Sequence, residues 1–552
     1  MRIATLVPVG FVVVACGSSG NKPPGTALTG GAEGGAEGGT AGGTEGGTAG
    51  GAEGGTDVGP EGGTAGGVSV SVSPTSVAVL ANASQSFTCT VTGSANTSCT
   101  WKVSEANGGT ITAAGAYTAP AATGTYHVVG TSVGDAEASA TATVTVVAQQ
   151  VGGCSNLAAA GTWQNITPPS LNWAEWCAPY NTGCPQPTQT ANGKIGTYGT
   201  NAFVLDPVNV GTVYLGTSSL GIWKSTDCGS TWAHVDTGTN GANLDAGRNW
   251  SMLIDPTNSQ ILYTVAGYAP LGGVYKSTDG GVNWAQVLTQ NVLDATGASP
   301  CATTADKTLC GNFGGNVEKI TMDPTNNQHL LASFHNVCAG TTPLPGATPN
   351  SQGDWGCLAE STDSGTTWTL TTSAMPWTGT DGPGQTMIDA TTWFYGTNST
   401  DGLWRTTTGG VSVNGAPAWT EVLSTWVNGS VYVATNGVFF VGGYPNVDWS
   451  KDGITWTPWA TSPSATSING STPMVDDGTT FYTGTGPLTN ATYWTAPLMS
   501  QSAAFTQISS TPGTPQSSTA VESPIAWLQY DSAHHLLYSS NLDGGFWRYV
   551  TQ

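Results

Sequence analysis

The side chains best suited to chemistry in this 552-residue chain are carboxylates set among indoles. Glu175, Asp245, Asp354, Asp381 and Glu522 fall between strand-like segments, in a chain whose linking stretches also hold Trp173, Trp176, Tyr180, Tyr268, Trp355 and Trp377. An indole offers the apolar face of a sugar ring a flat platform, and carboxylates accept its hydroxyls. Two carboxyls about 5–5.5 Å apart, or about 6.5–9.5 Å apart, would add glycoside hydrolysis with retention or inversion. Asp354, Asp381 and Glu522 are the candidate catalytic acids, and Trp173, Trp176, Arg248, His335, Trp355 and Trp377 the candidate ligand contacts. The competing role is plain: solvated carboxylates, and aromatics that pack the loops together. No phosphate loop, Ser/His/Asp spacing or zinc-type Cys-x-x-Cys pair occurs. The stretch 236–245 is rich in Gly and Asn but fits no standard calcium loop, so neither a metal nor a cofactor is expected.

These residues must be positioned by a repeat. Ser225-Thr-Asp227-Cys-Gly229-Ser-Thr231-Trp232 recurs as Ser277-Thr-Asp279-Gly-Gly281-Val-Asn283-Trp284 and as Ser361-Thr-Asp363-Ser-Gly365-Thr-Thr367-Trp368. Each copy ends a set of strand-like pieces, such as Asn201–Pro207, Val213–Thr217, Ile222–Ser225 and Thr231–Val235 in the first. Degenerate copies follow. Gly402-Leu-Trp-Arg-Thr-Thr407 lacks the Asp, Ser450-Lys-Asp-Gly-Ile-Thr-Trp456 is one residue shorter, and 471–508 keeps only the strand rhythm. The last unit, 524–550, has three strands, while Gly161-Thr-Trp-Gln-Asn-Ile166 stands alone before the first unit and has the form of a fourth. Joining the two gives seven four-stranded units in a closed ring without free edges.

The Ser-x-Asp-x-Gly-x-Thr-Trp unit resembles the Asp-box, or BNR repeat, of sialidase-type and sortilin-type propellers. The resemblance implies an all-β fold: a seven-bladed β-propeller over 155–552. It also implies that Asp227, Asp279 and Asp363 build turns on the face opposite the usual ligand face, rather than acting as acids or metal ligands. The inserts 168–200, 288–316, 335–356 and 371–384 would then elaborate the ligand face, as long loops on a rigid scaffold commonly do. A sialidase clamp of three arginines is not expected. Arg405 and Arg548 take the third-strand slot that Lys224 and Lys276 fill in other units, and the Arg-Ile-Pro motif common in sialidases is missing. Xyloglucan-cleaving propellers share the repeat but set two rings in tandem, whereas one ring here leaves no cleft between two.

Residues 68–147 carry short alternating strands, such as Val68–Val72 and Ala138–Val146, at the spacing of a β-sandwich. The segment resembles bacterial immunoglobulin-like domains, which serve as spacers or adhesive modules; His127 within it reads as an ordinary packed or surface histidine. Before it, 16–67 is a Gly-rich flexible tether with almost nothing apolar to bury, its low-complexity part of about 45 residues reaching on the order of 35–40 Å. Residues 1–15 form a signal peptide: Arg2, then an apolar run from Ile3 to Ala15 that is too short to span a membrane. Its ending, Val13-Val-Ala-Cys16, resembles the bacterial lipobox, which implies lipidation of Cys16. Of the 11 cysteines, the others fit disulfides in an exported chain, and near-neighbour pairing gives Cys89–Cys99, Cys177–Cys184, Cys301–Cys310 and Cys338–Cys357, with Cys154 left for Cys228.

A formal charge of −22 with only 12 Lys and Arg excludes the clustered cations that nucleic acid requires. No stretch reaches the ~18 apolar residues of a membrane helix, so membrane contact is expected only through the lipid anchor. The expected protein is a monomer of the bacterial cell envelope, surface-exposed or periplasmic, and otherwise secreted. Its expected role is to bind a glycan or polysaccharide, with glycoside hydrolysis as the activity it could add. The alternative is a non-catalytic platform for a surface protein, as in sortilin-like propellers.

Overall fold

The computed structural model describes residues 67–171, 199–218, 220–267, 269, 271–289, 316–335, 358–370, 384–397, 402–443, 446–462, 473–485, 492–508, 527–541 and 544–552. The described residues are almost wholly β, with one six-residue helix, Gly241–Ala246. The first region is a β-sandwich. Strands Ser76–Leu80, Ser139–Val147, Gly124–Ser132 and Cys99–Val103 form one sheet in that order, and Ser84–Ser86, Ala116–Thr118 and Thr110–Ile111 form another. Ser69–Ser73 pairs with Thr88–Thr92. Alternate residues face inward, so Val72, Val79, Phe87, Tyr117, Val128, Val144 and Val146 make one core. The run 86–91 is not one strand as its alternation suggests, because the chain breaks at Phe87, whose ring enters that core. Cys89–Cys99 joins two strands, and His127 pairs with Glu105 at 2.6 Å on the surface.

Seven four-stranded sheets make the β-propeller. Blade 1 runs Thr200–Leu205, Val213–Thr217, Ile222–Ser225, Ala233–His234; blade 2 runs Arg248–Asp255, Asn258–Gly267, Gly273–Ser277, Ala285–Thr289. Blades 3 to 6 begin at Asn316, Gln385, Val427 and Met474. Blade 7 is Trp527–Asp531, Leu536–Ser540 and Phe546–Val550, completed by Trp163–Asn165, in the register Trp163↔Tyr549, Gln164↔Arg548, Asn165↔Trp547. The strand before the first unit thus closes the last one.

First strands of successive blades pack against one another at the centre. Side chains stitch them together: Ser251 Oγ to the Ile320 carbonyl, Gln385 Nε2 to the Lys319 carbonyl, Gln529 Nε2 to the Phe203 carbonyl. An apolar cluster fills each of the seven junctions between blades, and each contains a tryptophan, for example Trp284 between blades 1 and 2 and Trp368 between blades 2 and 3. That placement accounts for a Trp content of 21 in a chain that is only 38% hydrophobic.

The repeated Asp residues hold the turns between third and fourth strands. Ser225 Oγ accepts from Gly229 N at 2.8 Å and donates to Asp227 Oδ1 at 2.8 Å, and Asp227 Oδ1 accepts from Thr231 N at 2.8 Å. Ser277/Asp279, Ser361/Asp363 and Ser450/Asp452 repeat the arrangement. Gly229 sits at φ 90°, which only glycine adopts without strain. Where blade 4 lacks the Asp, Thr406 Oγ1 still accepts from Gly410 N at 3.1 Å, so the Ser role outlives the carboxylate. A second series of aspartates, which the repeat reading did not single out, caps the turns between first and second strands. Asp206, Asp255, Asp323, Asp389, Asp477 and Asp531 each accept the amide two residues on. One oxygen of each of these carboxylates is thereby committed to backbone.

The connection from sandwich to ring lies along this turn face. Gln150–Val151 pairs with Asn209–Val210, His534 Nε2 reaches the Gly152 carbonyl at 2.7 Å, and Cys154–Cys228 bonds the connection to blade 1. Cys154–Cys228 closes 74 residues of chain and Cys89–Cys99 only 10. Loop-closure entropy assigns them about 4 and about 3 kcal/mol. Replacing Cys154 and Cys228 by serine is therefore expected to lower the thermal midpoint further than replacing Cys89 and Cys99, as differential scanning calorimetry would read. The pairs at Cys177–Cys184, Cys301–Cys310 and Cys338–Cys357 lie outside the described residues.

Candidate functional site

A site for exogenous ligand must use groups that the turns have not consumed. Such a group stands at the opposite end of blade 1, where its second and third strands connect and the chain crosses to blade 2. The connection closes tightly: Thr217 N and Oγ1 both donate to the Gly221 carbonyl, and Gly221 adopts φ 69°. The third strand then carries Trp223, whose Nε1 donates to the Leu220 carbonyl at 2.9 Å. On the fourth strand His234 lies opposite Trp223, with ring centroids 5.1 Å apart. The ladder continues one step beyond that strand, with Val235 N donating to the Ile222 carbonyl and Ile222 N to Asp236 Oδ1 at 3.0 Å. The crossover helix Gly241–Ala246, docked so closely that Gly241 has no room for a Cβ beside the Asp236 carbonyl, returns Asp245 to the same place.

His234 Nε2 therefore stands 2.8 Å from Asp236 Oδ1 and 3.0 Å from Asp245 Oδ1. Asp236 is buried, while the His234 and Asp245 side chains are 32% and 31% exposed, so the cluster opens to solvent on one side. Hydrogen bonds to Asp236 and Asp245 hold the His234 pKa up at about 10 against the pull of burial. Burial pushes the Asp236 carboxyl above its ordinary value despite the bond from His234. Arg248 and Trp250 begin blade 2 beside this connection, through a Ser218–Arg248 bridge. The guanidinium lies 5.8 Å from the centroid of the Trp250 ring, which rests on Gly267.

Two further groups escaped the sequence reading. Lys319, on the first strand of blade 3, is buried at the centre of the ring, with 8% of its surface exposed. Its Nζ donates to the Gln385 carbonyl at 3.1 Å and to Ser430 Oγ, and lies 5.9 Å from the Trp527 ring of blade 7. Burial lowers its pKa to about 7. Its neighbours Val317, Glu318 and Ile320 read as ordinary strand alternation, and only ring closure buries the amine. Asp448, on the third strand of blade 5, is 7% exposed, and burial raises its carboxyl to about 6. That is the direction a general acid requires.

Of the sequence candidates, Arg248 and Asp245 fall at the blade 1–blade 2 site. His335 ends the second strand of blade 3, paired with Asn316. Asp354, Asp381, Glu522, Glu175, Trp173, Trp176, Tyr180, Tyr268, Trp355, Trp377 and Cys16 lie outside the described residues. Arg405 and Arg548 do not converge on the ligand face. Arg405 lies over Phe394 at 5.9 Å, and Arg548 is buried at the ring seam. Cys154, Cys228 and His534 come within ligand distance of one another, but the two sulfurs are bonded together and offer no thiolate.

No protein-family model and no curated protein matches the chain. Among solved structures it is similar to YCF48 from Cyanidioschyzon merolae, at 10% identity over 64% of this chain and 97% of that one, with a TM-score of 0.40. It is also similar to the GH74 xyloglucanase from Xanthomonas campestris, at 12% identity over 64% of this chain, with a TM-score of 0.42. The chain spans 52% of that enzyme's length. Overlaps this loose carry no conclusion about ligand or activity.

Proposed function

We propose that the protein is a carbohydrate-binding head held off a bacterial membrane. In this reading the ring is an Asp-box propeller, the sandwich is an immunoglobulin-like spacer, and residues 16–67 are a tether ending at lipidated Cys16. The single observation that carries the reading is the side of blade 1 away from the turns. There the half-buried Trp223 indole stands beside His234, with the partly exposed Asp245 carboxylate next to it. An indole edged by hydrogen-bonding charge is what a pyranose ring recognises, the ring carbons stacking and the hydroxyls bonding. The sandwich connection lies along the opposite face. Hydrolysis would need a carboxyl pair, and Asp354, Asp381 and Glu522 remain the acids to test for it, with Asp448 added on the strength of its raised pKa.

The test is a glycan array beside a polysaccharide hydrolysis panel, run on the lipid-free chain from residue 17. Wild type should bind at least one glycan class. Trp223→Ala, with an unchanged circular dichroism spectrum, should bind it about tenfold more weakly, the order of one lost stacking contact. Turnover lost in one of Asp354→Asn, Asp381→Asn, Glu522→Gln or Asp448→Asn would make the head an enzyme. Neither binding nor turnover by wild type would overturn the carbohydrate reading and leave the protein-interaction platform in its place.

A further inference from the structure

His234, Asp236 and Asp245 make three contacts around one point, and a hydrogen-bond account leaves that point short of donors. Both carboxylates approach the same ring nitrogen, His234 Nε2, at 2.8 and 3.0 Å. That nitrogen carries at most one hydrogen, which can aim at only one of them. The remaining oxygen, Asp236 Oδ2, belongs to a side chain with no solvent exposure and has no hydrogen-bond partner among the described residues. An unmet buried carboxylate oxygen costs stability unless something outside the chain satisfies it.

The contacts at Gly221 show that the three side chains converge. A Cβ built there would overlap Asp245 Oδ1 and lie 2.6 Å from His234 Nε2 and 2.7 Å from Asp236 Oδ2. Three donor atoms from the fourth strand, its extension and the crossover helix thus meet beside a glycine, and any other residue there would push them apart. From these positions we infer that His234 Nε2 and the carboxylates of Asp236 and Asp245 bind one divalent cation of the zinc or manganese type.

The donor set and its spacing suit that ion. Ligands at right angles in a six-coordinate shell, on bonds of about 2.1 Å, stand about 3 Å apart, close to the spacing of Nε2 from each carboxylate, and a tetrahedral zinc shell would part them only to about 3.4 Å. One imidazole with two carboxylates is a borderline donor set, favoured by zinc and manganese, whereas calcium takes six to eight oxygens. Two carboxylates balance the charge of a dication. The Ile222 amide holds Asp236 Oδ1 at 3.0 Å, which orients that carboxylate as outer contacts orient metal ligands. Because His234 and Asp245 are each about one-third exposed, positions on the ion stay open for water or for an oxygen-rich ligand such as a diol. The ligands are spread over a strand end and a helix, so the stretch 236–245 shows no loop of alternating oxygens, which is why no metal was expected from sequence.

The experiment is isothermal titration calorimetry on chelator-treated protein with zinc, manganese and calcium chlorides in turn. Zinc or manganese should bind with one ion per chain and raise the thermal midpoint, with calcium at least tenfold weaker. His234→Gln and Asp236→Asn should each weaken binding at least tenfold. Gly221→Ala should do the same by pushing the donors apart, and Asp452→Asn on the turn face should change nothing. Circular dichroism of His234→Gln keeps the result readable if Gly221→Ala does not fold. Wild type that takes up no ion at millimolar concentration, or binding that persists in both His234→Gln and Asp236→Asn, overturns the proposal and leaves an imidazolium held between two carboxylates. The readout requires no sugar, so its outcome is independent of the carbohydrate reading.

Discussion

Arg548→Ala is expected to destabilise the protein by about 3–5 kcal/mol, because it leaves a cavity and several acceptors without a donor, at about 1–3 kcal/mol for each one that stays buried. The side chain has no solvent exposure. Nε donates to Gln164 Oε1 at 2.9 Å, Nη1 to the Cys228 carbonyl at 2.7 Å and to Ser230 Oγ, and Nη2 to the carbonyls of Ser155 and Asn156 at 3.1 and 2.8 Å. Those partners are the closing strand, the segment before it and the blade 1 turn, so one guanidinium fastens both ends of the ring. The same slot works elsewhere with less: Lys276 Nζ reaches the Ser364 carbonyl of the next blade at 2.9 Å, and Arg405 only faces Phe394. Arg405→Ala should therefore cost about 1 kcal/mol or less. Arg548→Lys should recover little, because one ammonium cannot replace a planar fork bonding in three directions. Urea unfolding followed by tryptophan fluorescence separates these variants. Equal losses for Arg548→Ala and Arg405→Ala would show that the seam is not held there. If Arg548 instead belonged to an anion clamp, its loss would spare stability and abolish ligand binding.

The seam also marks how far the sequence can be read. Period and turn chemistry are local, so the repeated Ser-x-Asp-x-Gly segments, the count of seven and the pairing of the 161–166 strand with the last unit are all legible in the sequence. Even the third-strand slot of Arg405 and Arg548 could be read from its alignment with Lys224 and Lys276. What could not be read are properties that arise only when blades meet. Lys319 is an unremarkable residue in an alternating strand until the first strands of blades 4, 5 and 7 surround it. Asp245 was visible as an acid near the crossover, but its partners His234 and Asp236 lay in a segment that read as an outer strand and a polar turn. Nothing in the spacing of 11 residues between His234 and Asp245 signals that a helix folds one back onto the other. The second series of turn aspartates was missed for a different reason. The partner its members share is a backbone amide, which leaves no pattern of residue types beyond Asp-Pro in three copies and weaker echoes in the rest.

His329 should make stability depend on pH in alkali, with a sign that its surroundings dictate. The ring is 2% exposed, within blade 3, with Nδ1 at 3.0 Å from Asp323 Oδ2 and Nε2 at 2.9 Å from Glu360 Oε1. Burial alone would favour the neutral ring, but the bonds to Asp323 and Glu360 outweigh it and hold the pKa up at about 9. In the unfolded chain the ring returns to about 6.5. Between those values the folded protein binds the extra proton, so its stability falls as pH rises. The contribution is complete below about pH 6.5 and is lost as pH climbs through about 9, amounting to about 3 kcal/mol at 1.36 kcal/mol per unit. His329→Leu fits the apolar surroundings of Trp393, whose ring lies 6.0 Å away, but leaves Asp323 and Glu360 facing each other without a cation. At pH 6 the variant should lose about 3–5 kcal/mol. At pH 10, where the wild-type imidazole is itself neutral, the gap between the two proteins should shrink by most of the linkage amount. Paired urea titrations at pH 6 and pH 10 measure that difference of differences, in which titrating groups away from His329 cancel. A gap of the same size at both values would mean that His329 holds the blade by shape, with its charge contributing nothing.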